Sequence, residues 1–136
     1  MERTLAIIKP DAVAGGHTAE IFGVIDKAGI RIVTAIPALN VKREVWEDFY
    51  AEHKGKPFYE KLLDHMSSGR CAFLILEGPN VIKKWRELMG VTDPKKASPF
   101  SLRGRFGTEG PANAVHGSDS PESAAREIAL FFPEEV

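Results

Sequence analysis

An α+β domain is the architecture this sequence predicts, and three observations carry that reading. Runs rich in Ile, Val and Leu recur at residues 4–8, 30–39 and 71–76. Between them lie segments whose apolar residues fall at helical spacing. The order is β-α-β-(αα)-β-α-loop-(β)-α, with two helices instead of one between the second and third strands. That order fits a ferredoxin-like split βαβ sandwich: a four-stranded antiparallel sheet with helices on its faces.

Each element has a local reason. Residues 4–8 (TLAII) are almost wholly apolar and stop at Lys9-Pro10-Asp11, because proline has no N–H to give a ladder. The following Ala14-Gly15-Gly16-His17-Thr18 reads as a turn. Residues 18–27 place Ile21, Val24 and Ile25 at helical spacing, with Thr18 as the expected cap and Gly29 just past the end. Residues 30–39 (IRIVTAIPAL) predict a strand whose far end, at Pro37, lies on an edge or a bulge. A helix is expected over 42–53, carrying Val45, Trp46, Phe49 and Tyr50, and a shorter one over 58–66. Residues 71–76 (CAFLIL) predict the third strand, and 79–89 a helix with Val81, Ile82, Trp85 and Met89 inward, ended by Gly90. Residues 91–112 lack periodicity and predict a long irregular loop, a feature that in a compact domain usually serves function. Residues 114–116 form a very short strand. Ser120, Pro121 and Glu122 then make a helix start signal for a helix reaching about Phe131.

Composition narrows the function classes. The 136 residues predict a single domain spanning 1–136, with 43% hydrophobic and 27% charged residues, which is ordinary globular material. Eighteen Lys and Arg against nineteen Asp and Glu give a net charge of -1, a poor match to nonspecific nucleic-acid binding. Cys71 is the single cysteine, so no internal disulfide forms, and no Cys/His pair has zinc spacing. The N-terminus does not read as a signal peptide, and no apolar stretch approaches the ~18 residues of a membrane span. A cytoplasmic location is the expectation.

Histidine is the side chain best suited to nucleophilic or acid–base work near neutral pH. His17 follows two glycines in a turn and His65 lies near a helix end, and both read as surface residues. His53 ends a helix, where positive charge is welcome. His116 differs, because Asn113-Ala114-Val115-His116-Gly117-Ser118-Asp119-Ser120 gathers polar and small residues around one imidazole. Local chemistry leaves two readings open there, a reactive ring or a histidine satisfied in the core. A phosphate loop of the Gly-x-x-x-x-Gly-Lys-Ser/Thr kind is absent. Any phosphate would therefore be held by side chains: Lys9, Arg86, Arg103 and Arg105, with hydroxyls from Tyr50 and Thr92. Arginine donates bidentately to phosphate oxygens, and Lys9 stands at a strand end, where sheets present site residues.

Taken together, these segments resemble the nucleoside diphosphate kinase family over roughly residues 2–132. The resemblance lies in Arg3-Thr4-Leu5-Ala6-Ile7-Ile8-Lys9-Pro10-Asp11, Tyr50-Ala51-Glu52-His53, Pro57-Phe58, Ser68-Gly69, Gly90-Val91-Thr92-Asp93-Pro94 and Leu102-Arg103-Gly104. The most specific segment is 113–120, which looks like the family's active-site signature. The resemblance implies transfer of a γ-phosphate from a nucleoside triphosphate to a nucleoside diphosphate, by a ping-pong route through phosphohistidine. It implies His116 as nucleophile through Nδ1, with Lys9 and Tyr50 at the transferring phosphoryl group and Lys9 with Asn113 at the sugar 3′-hydroxyl. Arg86, Thr92 and Arg103 would hold the phosphates, Phe58 would stack on the base, and Leu62 would line the base entrance. Glu127, linked to Ser118, would orient the histidine. Mg²⁺ is expected on the nucleotide phosphates instead of in a protein cage. A homo-oligomer built from dimers, tetramer or hexamer, is implied as well.

Four positions depart from the family pattern. Arg105 replaces an acid beside Arg103, Ala112 replaces an arginine before the asparagine, Gly110 stands where a valine often faces Phe58, and Ala12 replaces a glycine after Lys-Pro-Asp. A rival reading keeps the fold but makes it a nucleotide sensor without turnover. An RNA-binding sheet would need strand aromatics, and Phe73 is the only candidate in residues 4–8 and 71–76.

Overall fold

The computed structural model describes residues 1–135. Four strands, β1 (Glu2–Ile8), β2 (Arg31–Asn40), β3 (Arg70–Gly78) and β4 (Val115–Gly117), form one sheet in the order β2-β3-β1-β4. Every pairing is antiparallel, as the split βαβ reading requires. Among the described residues seven α-helices accompany the sheet: α1 (Pro10–Ala14), α2 (Thr18–Lys27), α3 (Arg43–Phe49), α4 (Tyr59–Ser67), α5 (Val81–Met89), α6 (Leu102–Phe106) and α7 (Pro121–Phe131).

The two central strands explain their own sequences. Alternate side chains of a strand face opposite sides, and both sides of β1 and β3 are covered. Ala6, Ile8, Ala72, Leu74 and Leu76 pack with Ile21 and Ile25 of α2 and Val81, Trp85 and Met89 of α5. Leu5, Ile7, Cys71, Phe73 and Ile75 pack with Trp46 and Phe49 of α3, Leu63 and Met66 of α4 and Ile128 of α7. No polar alternation survives because neither face meets water. Each such Leu, Ile or Phe contributes about 1.5–3 kcal/mol by leaving water. On the second face Phe73 and Phe131 stack with centroids 4.3 Å apart, and Trp46 lies 6.0 Å from Phe73.

Strand β2 lies on the edge, and its register slips between Ile36 and Leu39, around Pro37. The prolyl ring removes a ladder donor where the slip occurs. Helix α7 begins as its start signal demands: the Ser120 side chain accepts from the Ser123 N–H at 3.1 Å and Pro121 occupies the first turn.

Three segments differ from the sequence expectations. Residues 10–14, to which the sequence reading assigned no element, form α1, whose first residue is Pro10, and the expected turn follows at Gly15-Gly16. The helix expected over 42–53 divides at Tyr50 into α3 and a 3-10 turn, Ala51–His53. The irregular loop over 91–112 contains α6, capped by the Ser101 hydroxyl, which accepts from the Gly104 N–H at 3.1 Å. Helices α1 and α6 have five residues each, too few to display a 3.6-residue period.

The short strand β4 sets up the site. It pairs with β1 so that His116 lies opposite Ile7, and the Lys9 N–H donates to the Ala114 carbonyl at 2.8 Å. His116 and Lys9 are thereby brought to one end of the sheet from positions far apart in the chain.

Candidate active site

His116 is held by a buried carboxylate. Its Nε2 lies 2.9 Å from Oε1 of Glu127, which α7 presents toward the sheet. The Ser118 hydroxyl donates to the same oxygen at 2.9 Å and accepts the Leu5 N–H at 3.2 Å. The Glu127 carboxylate is thus fixed through Ser118 to β1. A neutral imidazole that donates Nε2–H to a carboxylate keeps its lone pair on Nδ1. Phe49 meets the ring edge-on at 5.1 Å and Tyr50 at 6.5 Å, and 18% of the histidine side chain remains exposed.

The electrostatics favour that neutral form. Burial pushes the His116 pKa below its ordinary value, and the charges of Lys9 and Arg103 push in the same direction. Glu127 opposes them through its hydrogen bond and charge without reversing the shift. A neutral ring of this kind, with cations beside it, has the chemistry a nucleophile needs.

Those cations come from separate elements. Lys9, between β1 and α1, donates from Nζ to Oδ1 of Asn113 at 2.7 Å and to the Pro111 carbonyl at 3.3 Å. Burial, with Arg103 nearby, lowers its pKa to about 8. Arg103, on α6, donates from Nη1 to the Gly90 carbonyl and from Nη2 to the Val115 carbonyl, both at 3.0 Å. Its pKa falls to about 10, through burial first and then the charge of Arg86 on α5. The Asn113 side-chain amide donates to the Thr92 carbonyl at 3.0 Å, drawing that loop to the site. Burial also raises the Tyr50 pKa, which keeps the phenol protonated.

Two of these groups retain donors without protein acceptors. Tyr50 Oη and Arg103 Nε are buried and make no hydrogen bond. Buried donors are normally satisfied, so the residues around the imidazole hold hydrogen-bonding capacity that no protein acceptor uses.

Lys9, Tyr50, Asn113, Arg103, Ser118, Glu127 and His116 therefore converge; Thr92 is joined to them by its carbonyl on Asn113, and the exposed Arg86 reaches Arg103 through charge alone. Phe58 and Leu62 stand apart. Phe58 is 48% exposed at the start of α4, its ring 5.4 Å from His53, which in turn lies 6.0 Å from Tyr50. Leu62 is half-buried against the second core. Farther along α4, Lys61 and His65 face residues 108–112 across a cleft of about 650 Å³. Gly110, with φ 60, has open space where a side chain would stand. Arg105 pairs with Glu20 on α2 and lies over the Phe106 ring.

Two histidines depart from the surface reading. His65 keeps 18% of its side chain exposed and lies 2.9 Å from Asp11 Oδ1. His17 is half-buried and stacks on Phe106 at 4.4 Å. Sequence reasoning gave no role to Asp11, although it belongs to the Lys-Pro-Asp segment, nor to Phe49 or the Gly90 and Val115 carbonyls. Main-chain acceptors carry no residue-type signal.

Comparisons with known proteins place the chain in a family. The family model described as nucleoside diphosphate kinase matches residues 2–136. A nucleoside diphosphate kinase of Carboxydothermus hydrogenoformans is 49% identical over 135 residues, covering 99% of this chain and 90% of that one. Nucleoside diphosphate kinase 2 of Protochlamydia amoebophila is 51% identical over 132 residues, covering 97% and 92%. Among solved structures, the Aquifex aeolicus nucleoside diphosphate kinase superposes with a TM-score of 0.92 at 40% identity, covering 96% of this chain and 94% of that one. The Halobacterium salinarum enzyme in complex with CDP gives 0.94 at 34% identity, covering 98% and 89%.

Proposed function

The chain belongs to the nucleoside diphosphate kinase family, and on that premise we propose that His116 is the residue that carries the phosphate. The activity itself is transfer of the γ-phosphate of a nucleoside triphosphate to a nucleoside diphosphate, in two half-reactions through a phosphohistidine. The observation that carries the assignment is the combination of the Glu127 carboxylate on Nε2, 2.9 Å away, with the charges of Lys9 and Arg103 beside the same ring, which leaves the Nδ1 lone pair for phosphorus among cations.

In the first half-reaction Nδ1 attacks the γ-phosphorus in line. A P–N bond forms as the bond from phosphorus to the β,γ-bridging oxygen breaks, and the electron pair leaves on the nucleoside diphosphate. The proton on Nε2 stays there, where Glu127 offsets the charge gained by the ring. In the second half-reaction a terminal phosphate oxygen of the incoming diphosphate attacks, the P–N bond breaks, and Nδ1 recovers its pair. Charge builds on the equatorial oxygens during both passages, so fixed cations and donors supply most of the stabilisation. Arg103, the Tyr50 hydroxyl and Lys9 fill that role. Arg86 and Thr92 hold the remaining phosphates, and Lys9 with Asn113 reads the sugar 3′-hydroxyl. Phe58 stacks on the base and Leu62 lines its entrance. A stacking wall on one side, with Gly110 opposite, tolerates any base.

Kinases of this kind generally need a divalent cation. Among the described residues no three His, Cys, Asp or Glu side chains form a metal-binding group, and the groups meant for phosphate are cationic. That donor set suits Mg²⁺ held by nucleotide phosphate oxygens, where it would neutralise charge on the leaving diphosphate. The protein binds nucleotides, and no helix among the described residues is long and apolar enough to cross a membrane. We further infer one domain over 1–136, a cytoplasmic location, and a homo-oligomer built from dimers.

Incubation with γ-labelled ATP tests the assignment. The expected result is label on the protein that is lost in acid and stable in base. Absence of label, or its persistence in His116→Ala, overturns it.

A further inference from the structure

Ala114, two residues before His116, has φ 73. This is the left-handed region, disfavoured for any residue with a Cβ, and a residue stays there only when its surroundings hold it. Both polar groups of Ala114 are held by the segment that follows β1. Its N–H donates to Oδ2 of Asp11 at 3.0 Å, and its carbonyl accepts the Lys9 N–H at 2.8 Å. The other Asp11 oxygen, Oδ1, lies 2.9 Å from Nε2 of His65 on α4. Neither Asp11 nor His65 has a part in the phosphoryl-transfer chemistry described above, yet both are largely shielded, with 17% and 18% of their side chains exposed.

Ala114 lies between working groups. On one side Asn113 holds Lys9 at 2.7 Å; on the other, Val115 leads to His116 and gives its carbonyl to Arg103. A rotation of the Ala114 backbone would turn Asn113 and His116 relative to each other. We propose that Asp11, oriented by His65, is a positioning residue that keeps Ala114 left-handed and so aims His116 at the phosphate. The inference rests on His116 being the carrier, which the wild-type label tests independently.

The test measures the rate at which γ-labelled ATP phosphorylates the full-length protein. Misplacing a nucleophile by about 1 Å costs on the order of 10²-fold. Asp11→Ala should therefore slow phosphorylation by roughly 10- to 100-fold while the apparent KM for ATP moves by less than about threefold. Adding Ala114→Gly should recover at least about tenfold of that loss, measured against Ala114→Gly alone, because glycine adopts positive φ without help. Asp11→Asn keeps an acceptor for the Ala114 N–H and should fall between wild type and Asp11→Ala. His65→Leu should slow phosphorylation several-fold, and His65→Gln, which retains a donor for Asp11, should restore most of it. If Asp11→Ala does not fold, the Asp11→Asn and His65 variants carry the test. Wild-type label with an unchanged rate in Asp11→Ala and His65→Leu overturns this proposal alone. So does failure of Ala114→Gly to rescue, which would mean that Asp11 acts through its charge.

Discussion

His116 and His65 share most of their immediate geometry. Each places Nε2 2.9 Å from a carboxylate oxygen, and each keeps 18% of its side chain exposed. Each ring therefore has its Nε2 edge directed at an acid. What separates them is what surrounds the ring. Around His116 stand Lys9, Arg103 and a buried Tyr50 hydroxyl with no protein acceptor, and its carboxylate is fixed by Ser118. The partner of His65 instead gives its second oxygen to the Ala114 N–H. A carboxylate-paired imidazole is thus not in itself the mark of a nucleophile; the cations and the unpartnered donors around His116 set it apart from His65.

The sharpest way to break the comparison is to remove each ring. His116→Ala should abolish the acid-labile label and lower turnover by ~10⁴-fold or more, whereas His65→Ala should still take up label. A His65→Ala protein without label, or a His116→Ala protein with it, would reverse the assignment. Next in size is Arg103→Ala, which should slow phosphoryl transfer by about 10²- to 10³-fold in single-turnover kinetics. An unchanged rate would shift the clamp to Arg86.

A pH profile sharpens the electrostatic side of the comparison. His116 must be neutral and its pKa is lowered, so the plateau of kcat/KM should extend below the ordinary histidine range before the acid limb begins. Lys9 must be protonated and titrates at about 8, so kcat/KM should fall by about tenfold per pH unit above that value. Lys9→Arg should flatten the alkaline limb, because a guanidinium does not titrate there. A limb that persists in Lys9→Arg belongs to another group. The smallest effect is expected at Ser120, whose hydroxyl caps the helix bearing Glu127. Ser120→Ala should cost about 1 kcal/mol in urea unfolding, with label formation retained.

Much of this was legible in the residues. The apolar runs of β1 and β3 mark strands covered on both faces, Ser120-Pro121 marks the start of α7, and Pro37 marks the slip in β2. His116 stood out through its small and polar neighbours, but local chemistry alone did not separate a reactive ring from a buried one. Glu127 would read as a solvated helix residue without the family resemblance; its burial at 6% exposure follows from how α7 docks. Asp11 and His65 are separated by 54 positions, and Asp11 and Ala114 by 103, so no spacing rule could join them. Arg105, a departure from the family pattern beside Arg103, pairs with Glu20, 85 positions away.

Gly117 follows His116, and a Cβ placed there would lie 2.5 Å from the Trp85 ring, whose Nε1 donates to the His116 carbonyl at 3.1 Å. Position 117 therefore has no independent freedom to vary. Even alanine would push the indole off the carbonyl it holds, and a smaller residue at 85 would open a void under the sheet. The two sites should change together or not at all, so a library randomised at 117 alone ought to return glycine, while one randomised at both could yield new pairs.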